Sequence, residues 1–182
     1  MDLHHALRTR STVHRYHPEP VPADVIDRAL AAAHQAPNHK LTWPWRFTVV
    51  GPNTRARFLP VAEALKAKKG PLTETGRALI AEKLLNPALV VVSMRRCEAT
   101  FQAREDYAAT ACAIQNIQLS VHADGFGAKW SSGGLTTAPP TYETLGIDPA
   151  VEEIVGFIWI GVPVERPTVS RPPVEDFVRR LD

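Results

Sequence analysis

The stretch APNHKLTWPWRF, residues 36–47, joins two segments of different periodicity. Before it, DVIDRALAAAHQA (24–36) sets Val25, Ile26, Ala29, Leu30 and Ala33 at helical spacing, with Pro22 and Asp24 near the start. After it, RFTVVG (46–51) reads as a short strand. A plain helix-to-strand connection needs little more than a glycine and a few polar residues. This one holds two tryptophans, two prolines and a histidine. Pro37 and Pro44 keep the backbone before them extended. Gln35, Asn38, His39 and Lys40 offer hydrogen bonds to the edge of a ring, and Trp43 and Trp45 offer apolar faces. The plain alternative is that the tryptophans plug the core, and that is the expectation for Trp45.

Working outward, residues 2–9 suit a short helix, and NTRARFLPVAEALKAKK (53–69) suits a helix disturbed by Pro60. KGPLTETG is a break, followed by the helix GRALIAEKLLN (76–86). ALVVVSM (88–94) and EEIVGFIWIG (152–161) are near-continuous apolar runs, as expected of strands buried on both faces. EDYAATACAIQNIQLSVHAD (105–124) is the longest helix. Its stripe is expected to run through Ala108, Ala111, Ile114, Ile117 and Val121, with Ala109, Cys112 and Leu119 widening it. GFGAKWSS (125–132) enters a strand, followed by a GGLTTAPP loop. The proline-rich tail ends in Val174, Phe177, Val178 and Leu181 at helical spacing, so residues 163–182 are expected to dock, on a partner chain. The mixture of elements predicts one domain over 1–182, an α/β or α+β sandwich.

Composition narrows the function. Of 182 residues, 45% are hydrophobic and 22% charged, ordinary for a globular chain. A net charge of +2 argues against nucleic-acid or membrane binding as the main activity. No run approaches the roughly 20 apolar residues of a membrane span, and the N-terminus lacks the apolar core of a signal peptide. The two cysteines, Cys97 and Cys112, have no CxxC or zinc-like spacing, so free, buried thiols in a reducing cytoplasm are expected. His4, His5, His14 and His17 look metal-like but lack an accompanying Cys or Asp pair, and are expected as surface residues. GFGAKW lacks the third glycine of a dinucleotide fingerprint, and neither a phosphate-binding GxxxxGK loop nor a GxSxG elbow occurs. With no acid/base or nucleophilic set of its own, an enzyme of this sequence would leave its chemistry to a cofactor.

Two further segments carry suitable groups. In LRTRSTVHRY (7–16), Arg8, Arg10 and Ser11 offer guanidinium forks and a hydroxyl for a phosphate, or are simply solvated. In KWSSGGL (129–135), Trp130, Ser131 and Ser132 precede two glycines that allow close backbone approach, or form a plain strand-to-loop turn.

In order and spacing, RTRS (8–11), APNHKLTWPWRF (36–47), GFGAKWSSGGLT (125–136) and EIVGFIWIGVP (153–163) resemble the nitroreductase-like FMN flavoproteins, close to their short bacterial NAD(P)H nitroreductases. The resemblance spans essentially the whole chain. It implies an α+β sandwich with a central, mostly antiparallel sheet flanked by helices, and an intertwined homodimer with two shared FMN sites. It implies that Arg10 and Ser11, with Arg8, hold the FMN phosphate and ribityl chain. Gln35 and His39 would meet the flavin from the helix-to-strand loop, and Trp130, Ser131 and Ser132 from the later stretch. Residues 120–125 match a stretch associated with the nicotinamide cofactor. There are departures. The family often has Arg or Ser at Gln35 and Gln at Trp43, and its short members have a basic residue at Ser131. Arg171, in a tail where many members place a basic residue, is the candidate that compensates. The first motif aligns only with a one-residue shift, which leaves Arg8 and Arg10 as alternatives. The implied activity is reduction of small electrophilic acceptors, such as nitroaromatics or quinones, by NADH or NADPH through FMN. A flavin reductase or flavin-fragmenting enzyme, and a non-catalytic FMN redox sensor, are the alternatives.

Overall fold

The computed structural model describes all residues, 1–182. Helices α1 (Leu3–Thr9) and α2 (Ala23–His34) precede strand β1 (Trp45–Val50). Next come α3 (Pro52–Ala56), α4 (Leu59–Ala67), α5 (Glu74–Leu85) and strand β2 (Ala88–Arg95). The long helix α6 (Thr100–Ala123) leads to β3 (Gly127–Ser131), the short helices α7 (Gly134–Thr137) and α8 (Pro139–Leu145), and β4 (Glu152–Gly161). The sheet order is β1-β2-β4-β3 and every pair is antiparallel.

Both faces of the sheet are covered, which explains the unbroken apolar runs of β2 and β4. One face buries Val90, Val92, Ile158 and Ile160 against α2 and α6. The other buries Leu89, Val91, Phe157 and Trp159 against Phe58, Leu84 and Tyr142. A one-residue bulge lies between Val92–Gly156 and Ser93–Ile154. It flips the side-chain phase of β4, so that Ile154 and Phe157 share one face while Val155 and Ile158 share the other. Gly156 sits in this bulge. A Cβ there would overlap Nε1 and Cδ1 of Trp130, whose indole lies across it and donates to the Val155 carbonyl at 3.3 Å.

Four local expectations differ from the structure. The 53–69 helix is two helices, because Pro60 falls in the first turn of α4, where a missing N–H costs nothing, and Phe58 is buried as its N-cap. α6 begins at Thr100 rather than 105, and its buried stripe runs through Ala109, Ala113, Ile114, Ile117 and Val121 with polar Asp106, Thr110, Gln118 and His122. Ala108 and Cys112 are therefore on its exposed side, and of the two free thiols expected to be buried Cys112 is exposed and Cys97 half-buried. The GGLTTAPP loop is largely helical, as α7 and the start of α8. The tail forms only a 3-10 turn, Val174–Phe177, and Val174, Phe177, Val178 and Leu181 are all exposed within the single chain. Trp45 is in the core as expected, its Nε1 donating to His34 Nδ1 at 3.3 Å.

Candidate functional site

Residues 10–16 run in extended form beside β3. Val13 N donates to the Ala128 carbonyl at 3.1 Å, and Thr12 bridges Ala128 in parallel. Gly127 permits this approach, since a Cβ there would press to 2.6 Å on Val13. Beyond Ala128 the two segments part. From Lys129 to Ser132 the outer edge of β3 and the residue after it have no backbone partner beyond β4, leaving peptide groups available to a ligand.

Strand parity decides where each side chain goes. Arg10 and Thr12 turn to one side and join Trp130, Ser132, Gln115 and Gln118 around a polar cleft of about 420 Å³. Tyr107 closes its rim. The expected residues Arg10, Trp130 and Ser132 are thus brought together from 120 residues apart. Thr12, Gln115 and Gln118 were missed. Their signals were the two-residue spacing from Arg10 along an extended segment, and the three-residue spacing along one side of a helix.

The electrostatics of this cleft favour an anion. Arg171 reaches back from the tail and donates to the carbonyls of Arg8 and Arg10, both at 3.2 Å. Burial first, and then the nearby Arg171, lower the pKa of the Arg10 guanidinium. Neither arginine has a carboxylate partner, whereas every ion pair in the structure uses a different arginine. The expected Ser11, between Arg10 and Thr12, turns away from the cleft: it is buried, lines neither cleft, and its hydroxyl has no hydrogen-bond partner. Between the two alternatives of the first motif, Arg10 lines the cleft, while the Arg8 side chain is exposed.

Ser131 points the other way. Its hydroxyl accepts from Trp159 Nε1 at 2.8 Å and donates to the Phe157 carbonyl at 3.4 Å, so its side chain already serves the fold. It borders a second cleft of about 420 Å³, beside His14, Lys83 and Lys129.

Gln35 and His39 are exposed and line neither cleft. Their loop is nonetheless tightly specified. Lys40, Leu41 and Trp43 have φ of 57°, 51° and 47°, left-handed values that cost a residue with a Cβ about 1–2 kcal/mol each. The loop is held there by Trp43 N donating to Asn38 Oδ1 (3.0 Å) and Thr42 Oγ1 donating to Asp106 Oδ1 (2.7 Å). Trp43 stacks on His34 with ring centroids 5.2 Å apart and stays 42% exposed. Strain of this kind collects at ligand-binding segments.

At the end of α6, His122 ties the tail to α1. Thr9 Oγ1 donates to the His5 carbonyl, so it accepts from His122 Nε2 (2.8 Å), which leaves Nδ1 to accept from Arg166 (3.1 Å). Arg166 also donates to the Gly125 carbonyl at 2.6 Å. His4, His5, His14 and His17 are exposed, and no three His, Cys, Asp or Glu side chains converge as metal ligands would. No helix is long and apolar enough to cross a membrane.

The model of the nitroreductase family matches residues 7–162. The chain is 32% identical to YfhC of Bacillus subtilis, provisionally named an NAD(P)H nitroreductase, over 96% of this chain and 91% of YfhC. A nitroreductase-like family protein of Bacillus cereus superposes with a TM-score of 0.86 at 29% identity, covering 100% of this chain and 97% of the other. A Desulfovibrio desulfuricans protein solved in complex with FMN superposes at 0.78 with 23% identity, covering 100% and 98%. With its sheet order, its two covered faces and this breadth of agreement, the chain belongs to the nitroreductase family.

Proposed function

We propose that the protein is an FMN-dependent NAD(P)H oxidoreductase that reduces small electrophilic molecules such as nitroaromatics or quinones. The observation that carries this is Arg10, a guanidinium without a carboxylate partner that lines a polar cleft beside Trp130, with Arg171 held against its backbone carbonyl as a second positive charge. A phosphate monoester answers both. Thr12 supplies a donor next to it, and the backbone at Ser132, just beyond β3, supplies groups for the polar atoms of a ring. FMN fits this set better than FAD, since nothing in the sequence provides an adenosine-binding fingerprint.

FMN held there by Arg10 and its neighbours would supply two-electron chemistry between reduced nicotinamide and an acceptor. The chain's own residues position and solvate. Gln35 and His39 stand outside the cleft in one chain, and the apolar residues of the tail are exposed. Both are accounted for by an intertwined homodimer in which each chain completes the other's site. The strained loop then presents His39 and Trp43 as a rigid wall, and rigidity matters because hydride transfer requires reacting atoms within roughly 3–3.5 Å. Reductant and acceptor use one open face, so the first product leaves before the second substrate enters.

Denaturing the purified protein should release FMN and no FAD. Initial rates at several fixed acceptor concentrations should give parallel double-reciprocal lines against NADH or NADPH. Intersecting lines would show both substrates bound together and remove the single-face argument. A colourless protein that takes up no added FMN would remove the proposal itself.

A further inference from the structure

The loop that joins α2 to β1 is strained, and most of what holds it is part of itself. Trp43 N donates to Asn38 Oδ1 inside the loop, and Arg46 Nη1 donates to the Trp43 carbonyl at 3.1 Å from three residues on. Both bonds are exposed, and both would travel with the loop if it moved. The stack of Trp43 on His34 fixes one ring and leaves Lys40 and Leu41 free to relax from their left-handed backbone. From residues 37–43, a single hydrogen bond reaches a distant part of the chain. It runs from Thr42 Oγ1 to Asp106 Oδ1, across 64 residues.

Asp106 is an unexpected residue at that point. It is 6% exposed, on the buried side of α6, and no Lys, Arg or His pairs with it. Buried carboxylates are ordinarily paired with a cation, and a lone one costs stability. Both of its donors are neutral: Thr42, and Gln102 four residues earlier on α6, which donates to the same Oδ1 at 2.9 Å. Gln102 thereby keeps the carboxylate turned toward the loop. An apolar residue would suit the stripe of α6 better. What a carboxylate supplies instead is a strong, oriented anchor, since its hydrogen bonds are about twice as strong as those of a neutral acceptor. The same helix carries Gln115 and Gln118 into the Arg10 cleft, with Tyr107 at the rim. The anchor of the loop and one wall of that cleft are therefore a single rigid element.

We infer that Asp106 is a positioning residue for the reduction of the flavin: through Thr42 it holds the His39–Trp43 loop in the one position in which it serves as a wall. This rests on the flavoenzyme reading above and adds to that site a residue that touches neither cofactor nor substrate. Released from Asp106, the loop would spread over several positions, and a misplacement of about 1 Å costs on the order of 100-fold in rate.

The test has two readouts. One is the rate at which saturating NADH or NADPH reduces the flavin of the FMN-loaded protein without air. The other is hydrogen exchange of the amides of residues 38–43. Asp106→Ala is expected to slow reduction on the order of 10- to 100-fold. FMN should stay bound, because Arg10, Thr12, Trp130 and Ser132 are untouched. Thr42→Val removes the same bond from its other end and keeps the side chain's shape, so it should act alike, and it stands in where Asp106→Ala fails to fold. The double variant should be no slower than the slower single one, because both remove one interaction. Asp106→Asn keeps an acceptor for both donors and should recover most of the rate. Exchange over 38–43 should quicken in the Ala and Val variants and not in the Asn variant. Reduction at the wild-type rate in a folded, FMN-loaded Asp106→Ala or Thr42→Val protein would overturn the proposal and leave Asp106 a purely structural residue. Additive losses in the double variant, or an Asn variant as slow as the Ala one, would overturn it too. If the wild type holds FMN and neither nucleotide reduces it, the flavoenzyme reading fails and the positioning role falls with it, even where exchange shows the loop released.

Discussion

Substituting Gly156 by alanine tests how the Arg10 cleft is built. The added Cβ would overlap Nε1 and Cδ1 of Trp130 and stand 3.3 Å from the Ser131 carbonyl, so the indole, rather than a flexible chain end, must yield. Moving it sacrifices the hydrogen bond to Val155 and disturbs a half-buried ring that packs on the α2–α6 side of the sheet. Overpacking of this sort costs about 1–3 kcal/mol, and in a domain of this length each kcal/mol lowers Tm by about 2–4 °C. A fall of several degrees in thermal denaturation is expected, with weaker FMN retention because Trp130 lines the cleft. Gly51→Ala is the control, since nothing lies within 4 Å of a Cβ there and Gly51 has an ordinary φ of −69°. The decisive comparison is a double-mutant cycle with Trp130→Ala. If the clash is with the indole, Gly156→Ala should cost much less once the indole is gone. An equal cost in both backgrounds would refute the reasoning and place the strain in the bulge backbone.

Other outcomes follow from the same geometry. Arg10→Ala should weaken FMN binding by about 1.5–3 kcal/mol, as for a lost charge-assisted bond, and Arg8→Ala by clearly less, measured by titrating FMN into stripped protein. Burial first, then Arg166, Arg10 and His5, hold His122 below its ordinary value of 6.5. The unfolded chain then binds that proton more readily than the folded one, so this contribution to stability is present above about pH 6.5 and is lost as pH falls below it. Thermal scans at falling pH should therefore show a steeper loss for the wild type than for His122→Gln; identical slopes would show that the Thr9–His122–Arg166 link does not titrate as described. Light scattering should give about 40 kDa, twice the 20.0 kDa chain, and a stable FMN-loaded monomer would contradict the shared site.

Much of the fold was legible because burial on both faces leaves a plain mark. The runs 88–94 and 152–161 are apolar but for Ser93 and the leading Glu152 and Glu153, and β2 and β4 are the two central strands. α2 shows its stripe at Val25, Ile26, Ala29 and Ala33 because its buried residues are all apolar. α6 hid its phase because its buried side carries Asp106, Thr110, Gln118 and His122, while Ala108 and Cys112 look outward. Asp106 is buried to receive Thr42 and Gln102, a long-range requirement that periodicity cannot register. At the candidate site, Arg10, Trp130 and Ser132 could be read from local chemistry. The orientation of Ser131 depended on where β3 begins, and the second cleft joins residues 14, 66, 83 and 129, which are neighbours only after folding. The tail's Arg171 was legible as a basic residue, but its position beside Arg10 required the path of the chain back past α1.

The central claim is that this chain holds FMN and that reduced nicotinamide delivers electrons to it. Mixing the purified, FMN-loaded protein with NADH or NADPH in the absence of air, while recording the visible spectrum, tests it most directly. The visible flavin band should bleach with at least one of the two and return when a nitroaromatic or quinone is added. A band unchanged by excess of both nucleotides would contradict the account and leave a flavin-binding protein without reductase activity.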